Sequence, residues 1–342
     1  MEKIHFDTDY MRGACPQVMQ RLVETNMLQT PGYGTDDFTA HAKELIRREC
    51  DAPNATVFFL VGGTQTNATV IDAVLKKHQG VICADSGHIN VHEAGAVEAT
   101  GHKVITLPNH QGKILASELE EYFRAFYADD TYEHMVEPGM VYISYPSEYG
   151  TLYSLRELKA IKKVCRKYKA PLFLDGARLG YGLAANPDVS LKDLAKICDV
   201  FYIGGTKVGA LFGEAVVVPD GKLITNVVPQ VKQHGALLAK GRLLGVQFET
   251  LFTDGLYFSI ARHAVDAAMA LKNGFISKGF KPFIDSPTNQ QFFKLPNEVI
   301  DSLAEIATFE YWGPRGEKES TVRFVTDWAT DPDDVARLIS RL

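Results

Sequence analysis

The chain has 342 residues, of which 46% are hydrophobic and 23% charged, a composition typical of a globular protein long enough for one large and one smaller domain. Its net charge of −6, without any block of basic residues, argues against binding to nucleic acid. The N-terminus does not resemble a signal peptide and no apolar run reaches the roughly 18 residues that span a bilayer, so we expect a cytoplasmic protein without a membrane partner.

The hydrophobic periodicity predicts an α/β fold with a mostly parallel central sheet flanked by helices, followed by a small C-terminal α+β domain. The division we expect is an N-terminal segment near the site (1–20), a large domain (21–255) and a small domain (256–342). The predicted strands lie at 57–61, 80–84, 103–106, 140–145, 171–174, 214–218, 291–295, 310–312 and 321–325. The predicted helices lie at 16–26, 36–50 with Thr35 as N-cap, 64–75, 155–168, 297–306 and 331–341, with further helices within 223–274.

The first strand and helix of the large domain form a unit that suits an anion. The strand at 57–61 is followed by Gly62 and Gly63, and the next helix starts at Thr64. Backbone N–H groups and a hydroxyl at a helix N-terminus bind phosphate well, so we predict phosphate contacts there. The glycines do not follow the G-x-G-x-x-G pattern, which argues against a dinucleotide-binding module.

Two later apolar runs end in residues that carry chemistry. The strand at 171–174 ends at Asp175, and the apolar run after Asp199 ends at Thr206 and Lys207. Ligands of open α/β sheets bind at the carboxyl ends of buried parallel strands. An acid and a lysine there are what pyridoxal 5′-phosphate (PLP) needs, the lysine as Schiff base and the acid as partner of the pyridine nitrogen. The alternative is an Asp that caps the next helix and a lysine at the surface.

Histidines follow the strand at 80–84. His88 and His92 have the i, i+4 spacing of metal ligands, but no H-E-x-x-H order and no third ligand are evident, and the five scattered cysteines contain no C-x-x-C pair. We therefore predict reduced cysteines and no metal site. The interpretation left for His88 is either an ordinary loop histidine or an imidazole that stacks on a planar cofactor.

Several segments, taken together, resemble the low-specificity L-threonine aldolases, which are PLP enzymes of fold type I, and the likeness spans the whole chain. The segments are Phe6-Asp-Thr-Asp9 with Cys15-Pro16, Pro31-Gly-Tyr-Gly34, Gly62-Gly-Thr-Gln-Thr-Asn67, His88 with Glu93-Ala-Gly95, Asp175-Gly-Ala-Arg178 and Gly204-Gly-Thr-Lys207. The resemblance implies that the cofactor is held by Gly63, Thr64, His88, Asp175, Arg178, Thr206 and Lys207. It implies that the substrate is held by Thr8, Tyr33, Arg178 and Arg323.

The resemblance implies cleavage of L-threonine, L-allo-threonine or a related β-hydroxy-α-amino acid to glycine and an aldehyde. The catalytic residues would be Lys207, His88 and a base that removes the β-hydroxyl proton, for which His92 and Glu148 are both candidates. Some family members have histidine where this chain has Glu148, which leaves the base open. After Arg178 the family often continues with Asn-Ala, whereas this chain has Leu179-Gly, so its substrate preference can differ.

Other functions fit parts of the same pattern. A β-eliminating lyase acting on another amino acid and an aminotransferase share the cofactor, and a non-catalytic protein with a PLP-enzyme fold belongs to another class.

The resemblance also implies a homodimer or homotetramer, because in that family the loop around Tyr33 reaches the neighbouring subunit's cofactor. The sequence leaves the physiological substrate and its stereochemistry open.

Overall fold

The computed structural model describes residues 3–342, which form strands and helices in alternation up to a C-terminal unit of mainly antiparallel strands. The strands are β1 (Ile4–His5), β2 (Thr56–Leu60), β3 (Gln79–Ala84), β4 (Val104–Leu107), β5 (Glu137–Ser144), β6 (Leu172–Asp175), β7 (Val200–Gly204), β8 (Glu214–Val218), β9 (Pro282–Ile284), β10 (Gln290–Pro296), β11 (Ala307–Thr308), β12 (Glu310–Tyr311) and β13 (Glu319–Val325). The helices are α1 (Pro16–Thr25), α2 (Asp37–Glu49), α3 (Gly63–Val74), α4 (His88–Val91), α5 (Ala96–Ala99), α6 (Ala116–Ala128), α7 (Leu155–Tyr168), α8 (Leu179–Ala185), α9 (Leu191–Ile197), α10 (Val227–Gln233), α11 (Arg242–Leu251), α12 (Leu256–Ser277), α13 (Asn297–Ala304) and α14 (Pro332–Ser340).

Seven of the described strands form the central sheet, in the order β2-β8-β7-β6-β5-β3-β4. The pairs from β7 to β4 are parallel, whereas β8 runs antiparallel to both of its neighbours, β2 and β7. The inner strands are continuous apolar runs because helices cover both faces of the sheet. The predicted mostly parallel sheet is thus confirmed. Within the part of the chain that the structure describes, no helix is long and apolar enough to cross a membrane.

Two glycines allow the ends of β6 and β7 to lie against each other. A Cβ at Gly176 would be 1.9 Å from the carbonyl oxygen of Tyr202, and one at Gly204 would be 2.3 Å from the carbonyl oxygen of Ala177. No other residue fits such a close backbone approach. The loop after Asp175 and the loop that carries Lys207 are therefore neighbours at the same edge of the sheet.

The C-terminal unit contains a four-stranded antiparallel sheet in the order β12-β13-β10-β9. Its core includes Phe275, Phe293 and Phe324, and the long helix α12 packs against α8 on one side and α14 on the other. Strand β1 pairs in parallel with β11, so the start of the chain is joined to this unit rather than to the large sheet. The expected division at residues 20 and 255 stays a prediction.

The differences from the predicted elements have local causes. Helix α2 is capped by Asp36, whose carboxylate accepts a hydrogen bond from the Thr39 N–H at 2.8 Å, so the predicted cap at Thr35 was wrong by one residue. Helix α7 has its predicted bounds because Ser154 and Glu157 form a capping box. Helices α4, α5, α6, α8 and α9 were not predicted.

Candidate active site

Two adjoining cavities lie at the carboxyl ends of β5, β6 and β7. The inner cavity has a volume of about 270 Å³ and includes Gly63, Thr64, Asp175 and Thr206 in its lining. The outer cavity, of about 350 Å³, includes His92, Glu310, Trp312 and Arg323. The residues common to both linings are Tyr10, His88, Glu148, Arg178 and Lys207. Most of the residues singled out from the sequence are therefore brought together.

Asp175 lies at the floor of the inner cavity with four hydrogen-bond donors around its carboxylate. Oδ2 accepts from the Tyr142 hydroxyl at 2.6 Å and from Asn67 Nδ2 at 3.0 Å. Oδ1 accepts from the Tyr202 hydroxyl and from the Ala177 N–H. Burial acts to raise the pKa of Asp175, but the charge of His88 and these hydrogen bonds outweigh it and hold that pKa below its ordinary value. The group is thus a buried carboxylate that stays ionised.

A chain of hydrogen bonds connects this carboxylate to His88. Asn67 Nδ2 also donates to Glu93 Oε1 at 2.7 Å, and the same oxygen lies 2.6 Å from Nδ1 of His88. The Glu93 side chain is fully buried, so its charge is not screened by water. This contact fixes the imidazole at the cavity wall with Nδ1 as the donor. Neither Asn67 nor Glu93 was assigned a role from the sequence, although both lie in segments that carried the resemblance.

Lys207 is in a setting that favours its neutral amine. Burial, followed by the positive charge of Arg178, lowers the pKa of Lys207 to about 8. The buried Glu214 lies nearby and accepts hydrogen bonds from Thr206 Oγ1 at 2.7 Å and from the Gly205 N–H at 3.1 Å. Burial raises the pKa of Glu214. Glu214 thereby fixes the loop that carries Lys207, and the hydroxyl of Thr206 is satisfied within the chain.

The inner cavity fits PLP on three points of geometry. Its wall includes Gly63 and Thr64 in the first turn of α3, whose backbone N–H groups have no partner within the helix. Asp175 supplies an ionised carboxylate for the pyridine nitrogen, and Lys207 supplies an amine of lowered pKa. An anion site, a buried acid and a reactive lysine around one cavity are the set that this cofactor requires.

Arg178 is held by a buried acid that sequence reasoning did not assign. Its Nε and one terminal nitrogen donate to the two carboxylate oxygens of Asp9, at 2.6 and 2.9 Å. Asn289 Nδ2 of the C-terminal unit donates to the same carboxylate at 2.9 Å. A bidentate pair of this kind fixes the guanidinium plane. Asp9 therefore joins the N-terminal segment, the large sheet and the C-terminal unit at one side of the site.

Arg323 lines the outer cavity and is only 8% exposed. One terminal nitrogen donates to Gln290 Oε1 at 2.8 Å and the other contacts the carboxylate of Glu310. Its Nε has no hydrogen-bond partner within the described chain. The guanidinium also lies 5.2 Å from the ring centroid of Trp312. Arg323 therefore has an acid partner and one buried N–H group without a partner within the described chain.

The two candidate bases differ in position. Glu148 lines both cavities, and its Oε1 accepts from Ser144 Oγ at 2.7 Å and from the His88 N–H at 2.9 Å. Burial raises its pKa. His92 lines only the outer cavity, with its ring centroid 5.7 Å from that of His88. Burial, then the charge of His88, lowers the pKa of His92, so the ring is unprotonated at neutral pH.

Two predicted residues are not part of either cavity lining. The hydroxyl of Thr8 is buried without a hydrogen-bond partner within residues 3–342. Tyr33 is 53% exposed and lines a separate cavity of about 330 Å³ beside α2 and α10. Within one chain, therefore, Tyr33 is not brought to the site. No group of three or more His, Cys, Asp or Glu side chains in the described range is placed to hold a metal ion.

Comparison with known proteins gives a consistent set of similarities. The family model described as beta-eliminating lyase matches residues 5–280. Low-specificity L-threonine aldolases from Pseudomonas sp. (strain NCIMB 10558) and Pseudomonas aeruginosa are each 28% identical to this chain, over 97% of its length and 95% of theirs. A solved structure of a threonine aldolase from Leishmania major is 39% identical and superposes with a TM-score of 0.95, covering 98% of both chains. Aspartate aminotransferase from Thermus thermophilus, at 15% identity and a TM-score of 0.69 over 99% of this chain and 91% of its own, shares the fold.

Proposed function

The chain belongs to the beta-eliminating lyase family and is a PLP-dependent lyase of fold type I, and from that premise we propose that it cleaves L-threonine, L-allo-threonine or a related β-hydroxy-α-amino acid to glycine and an aldehyde. The resemblance drawn from the motifs is confirmed by these matches. The observation that carries the proposal is the pairing of two cavities. The inner one has Asp175 and Lys207 for the cofactor, and the outer one has two arginines for an amino acid.

The residues of the inner cavity divide the work of holding and activating the cofactor. Lys207 would carry the cofactor, because its lowered pKa makes more of the amine neutral near pH 7. Asp175, whose pKa is lowered, would keep a proton on the pyridine nitrogen, and His88, which lines the same cavity, would contact the cofactor. Gly63 and Thr64 take the phosphate at the N-terminus of α3. When bound, PLP supplies an electron sink for the charge left at Cα as the Cα–Cβ bond breaks.

The outer cavity orients the substrate. Arg178 and Arg323 bind its α-carboxylate: Asp9 fixes the plane of the first, and Gln290 and Glu310 hold the second. Two fixed guanidinium groups define where the Cα–Cβ bond lies relative to the inner cavity.

His92 is the group we assign as the base that takes the β-hydroxyl proton. Its ring is unprotonated at neutral pH, and it lines the cavity that holds the arginines but not the one that holds Asp175. Glu148 is the alternative base, because burial raises its pKa and so brings it closer to the operating pH. The hydrogen bonds from Ser144 and His88 to Glu148 Oε1 favour a positioning role for that oxygen.

A homodimer or homotetramer with shared sites is part of the proposal. Tyr33 is exposed and remote from its own chain's site, and exposed apolar side chains occur nearby in sequence on and after α1, among them Val23, Met27 and Leu28. An exposed apolar surface of this kind is typical of an interface. Sedimentation is expected to show a dimer or larger species, and a fully active monomer at assay concentration would contradict the shared site.

A cytoplasmic location is proposed as well, consistent with five buried free cysteines.

Product identification tests the reaction. The PLP-loaded protein is incubated with L-threonine, and glycine, acetaldehyde, 2-oxobutanoate and ammonia are each measured. The proposal expects glycine and acetaldehyde in equal amounts. Formation of 2-oxobutanoate with ammonia would instead establish β-elimination, and amino-group transfer to an added 2-oxo acid would establish an aminotransferase.

A further inference from the structure

One wall of the outer cavity contains an acid whose partner is a substrate-binding candidate. Glu310 of β12 and Arg323 of β13 are direct cross-strand partners in the antiparallel sheet of the C-terminal unit. Their side chains form an ion pair, with Arg323 deeply buried and the Glu310 side chain 40% exposed. Both residues line the outer cavity. Glu310 thus presents a partly accessible carboxylate where an amino acid would bind.

The cationic groups of this cavity are already partly engaged by acids. Asp9 takes two N–H groups of Arg178, and Glu310 takes one terminal nitrogen of Arg323. The Nε of Arg323 is buried, so the α-carboxylate would use the N–H groups of the terminal nitrogens of Arg178 and Arg323 that these contacts leave over. Glu310 therefore competes with any substrate carboxylate for the guanidinium of Arg323.

Two acids, Glu310 and Glu148, share this cavity with the basic residues Arg178, Lys207 and Arg323. Glu148 lines the same cavity as Glu310, so a further carboxylate would have to approach two acids. Trp312 and Tyr10 offer aromatic surface instead. Trp312 is held by edge-to-face contacts with Tyr149 and Phe292, which fixes that surface.

From this arrangement we propose that Glu310 is a specificity-determining residue, which restricts the substrate's β-substituent to uncharged aliphatic or aromatic groups and rejects one that carries a carboxylate. The inference rests on the proposed aldol cleavage and names its substrate class. Glu310 acts through its charge. Its carboxylate takes a donor of Arg323 and repels a second carboxylate of the substrate. Rejection by an unfavourable charge contact is a common way to obtain specificity.

The test compares L-threonine with L-threo-β-hydroxyaspartate, which has the same reacting atoms and one additional carboxylate. The unmodified enzyme is expected to cleave the dicarboxylate with a kcat/KM about tenfold or more below that for threonine. Glu310→Gln removes the charge and keeps the shape. It is expected to shift the ratio of the two kcat/KM values by about tenfold or more towards hydroxyaspartate.

Glu319→Gln is the matched control, because Glu319 lies on β13, is paired with Lys294 and is outside the cavity lining. An unaltered ratio in Glu310→Gln, or equal changes for both substrates, would overturn the inference and leave Glu310 as a structural partner of Arg323. Should the variant fail to fold, a wild-type enzyme that cleaves both substrates equally well would also overturn it. Absence of threonine cleavage in the unmodified enzyme is a separate result, which would refute the proposed function itself.

Discussion

The inner and outer cavities are built in different ways. The inner one is formed by strand ends and loops of a single sheet, and its central acid receives hydrogen bonds from two tyrosines, an asparagine and a backbone N–H. The outer one is formed where three parts of the chain meet, and its contacts join residues as far apart as Asp9 and Arg178, or Asp9 and Asn289. The inner cavity is thus part of the sheet, whereas the outer one depends on how the C-terminal unit packs against it.

This difference predicts separable effects. Changes at the inner cavity alter cofactor retention and kcat together, because its residues hold and activate the cofactor. Changes at the outer cavity alter KM or proton transfer with cofactor retained. The following variants test that separation.

Lys207→Ala is expected to have the largest effect, a loss of threonine cleavage of about a thousandfold or more, since no other amine lines the inner cavity to replace it. Activity of the PLP-incubated variant and its absorbance after gel filtration are the measurements. Lys281→Ala serves as the control, because Lys281 is exposed and lines neither cavity. Substantial activity in the Lys207 variant would contradict its assignment.

Asp175→Asn is expected to lower kcat by about a hundredfold to a thousandfold, because the neutral amide cannot keep the pyridine nitrogen protonated. Retention of the cofactor should weaken as well, while KM for threonine changes little. Steady-state kinetics at saturating PLP separate the two effects. Asp188→Asn, at an exposed loop position, should behave like the unmodified protein. An unaffected kcat would show that the buried carboxylate has no part in the chemistry.

His92→Asn is expected to lower kcat by about a hundredfold with cofactor retained. In the unmodified enzyme, kcat should fall as the pH drops through a value below 6.5, because His92 has a lowered pKa and its protonated form cannot accept the β-hydroxyl proton. The pH profile of the variant should lack this fall. If the fall persists and Glu148→Gln abolishes it, Glu148 is the base. The exposed His78 provides a control substitution.

Arg323→Lys is expected to have the smallest of these effects, a rise in KM of about tenfold to a hundredfold, equivalent to roughly 1.5–3 kcal/mol. A lysine cannot contact Gln290, Glu310 and a substrate carboxylate with one planar group. The absorbance of the bound cofactor should not change. A near-normal KM for threonine would refute the anchoring role, and Arg341→Lys at the surface is the control.

The sequence allowed much of the inner cavity to be predicted, because its residues follow apolar strands or glycines within a few positions. Asp175, Lys207, Gly63 and Thr64 could each be located in this way. The partners of Asp175 could not: Tyr142 and Tyr202 lie inside strands, where a tyrosine looks like any other buried aromatic residue until the pairing order is known.

The outer cavity was less predictable, because its contacts depend on tertiary packing. The pairing of Glu310 with Arg323 follows from the register of β12 and β13, and the pairing of Asp9 with Arg178 crosses 169 positions. No local sequence pattern indicates either of these two pairings. Tyr33 illustrates a further limit, since its predicted role requires a second chain.

The most direct test of the inner cavity is to identify the lysine that carries PLP. Borohydride reduction of the PLP-loaded protein fixes the covalent bond between cofactor and lysine, and peptide mapping then locates the modified residue. The account predicts a stoichiometric label on Lys207, at the end of β7 opposite Asp175. A label on Lys232 or Lys240 instead would contradict it.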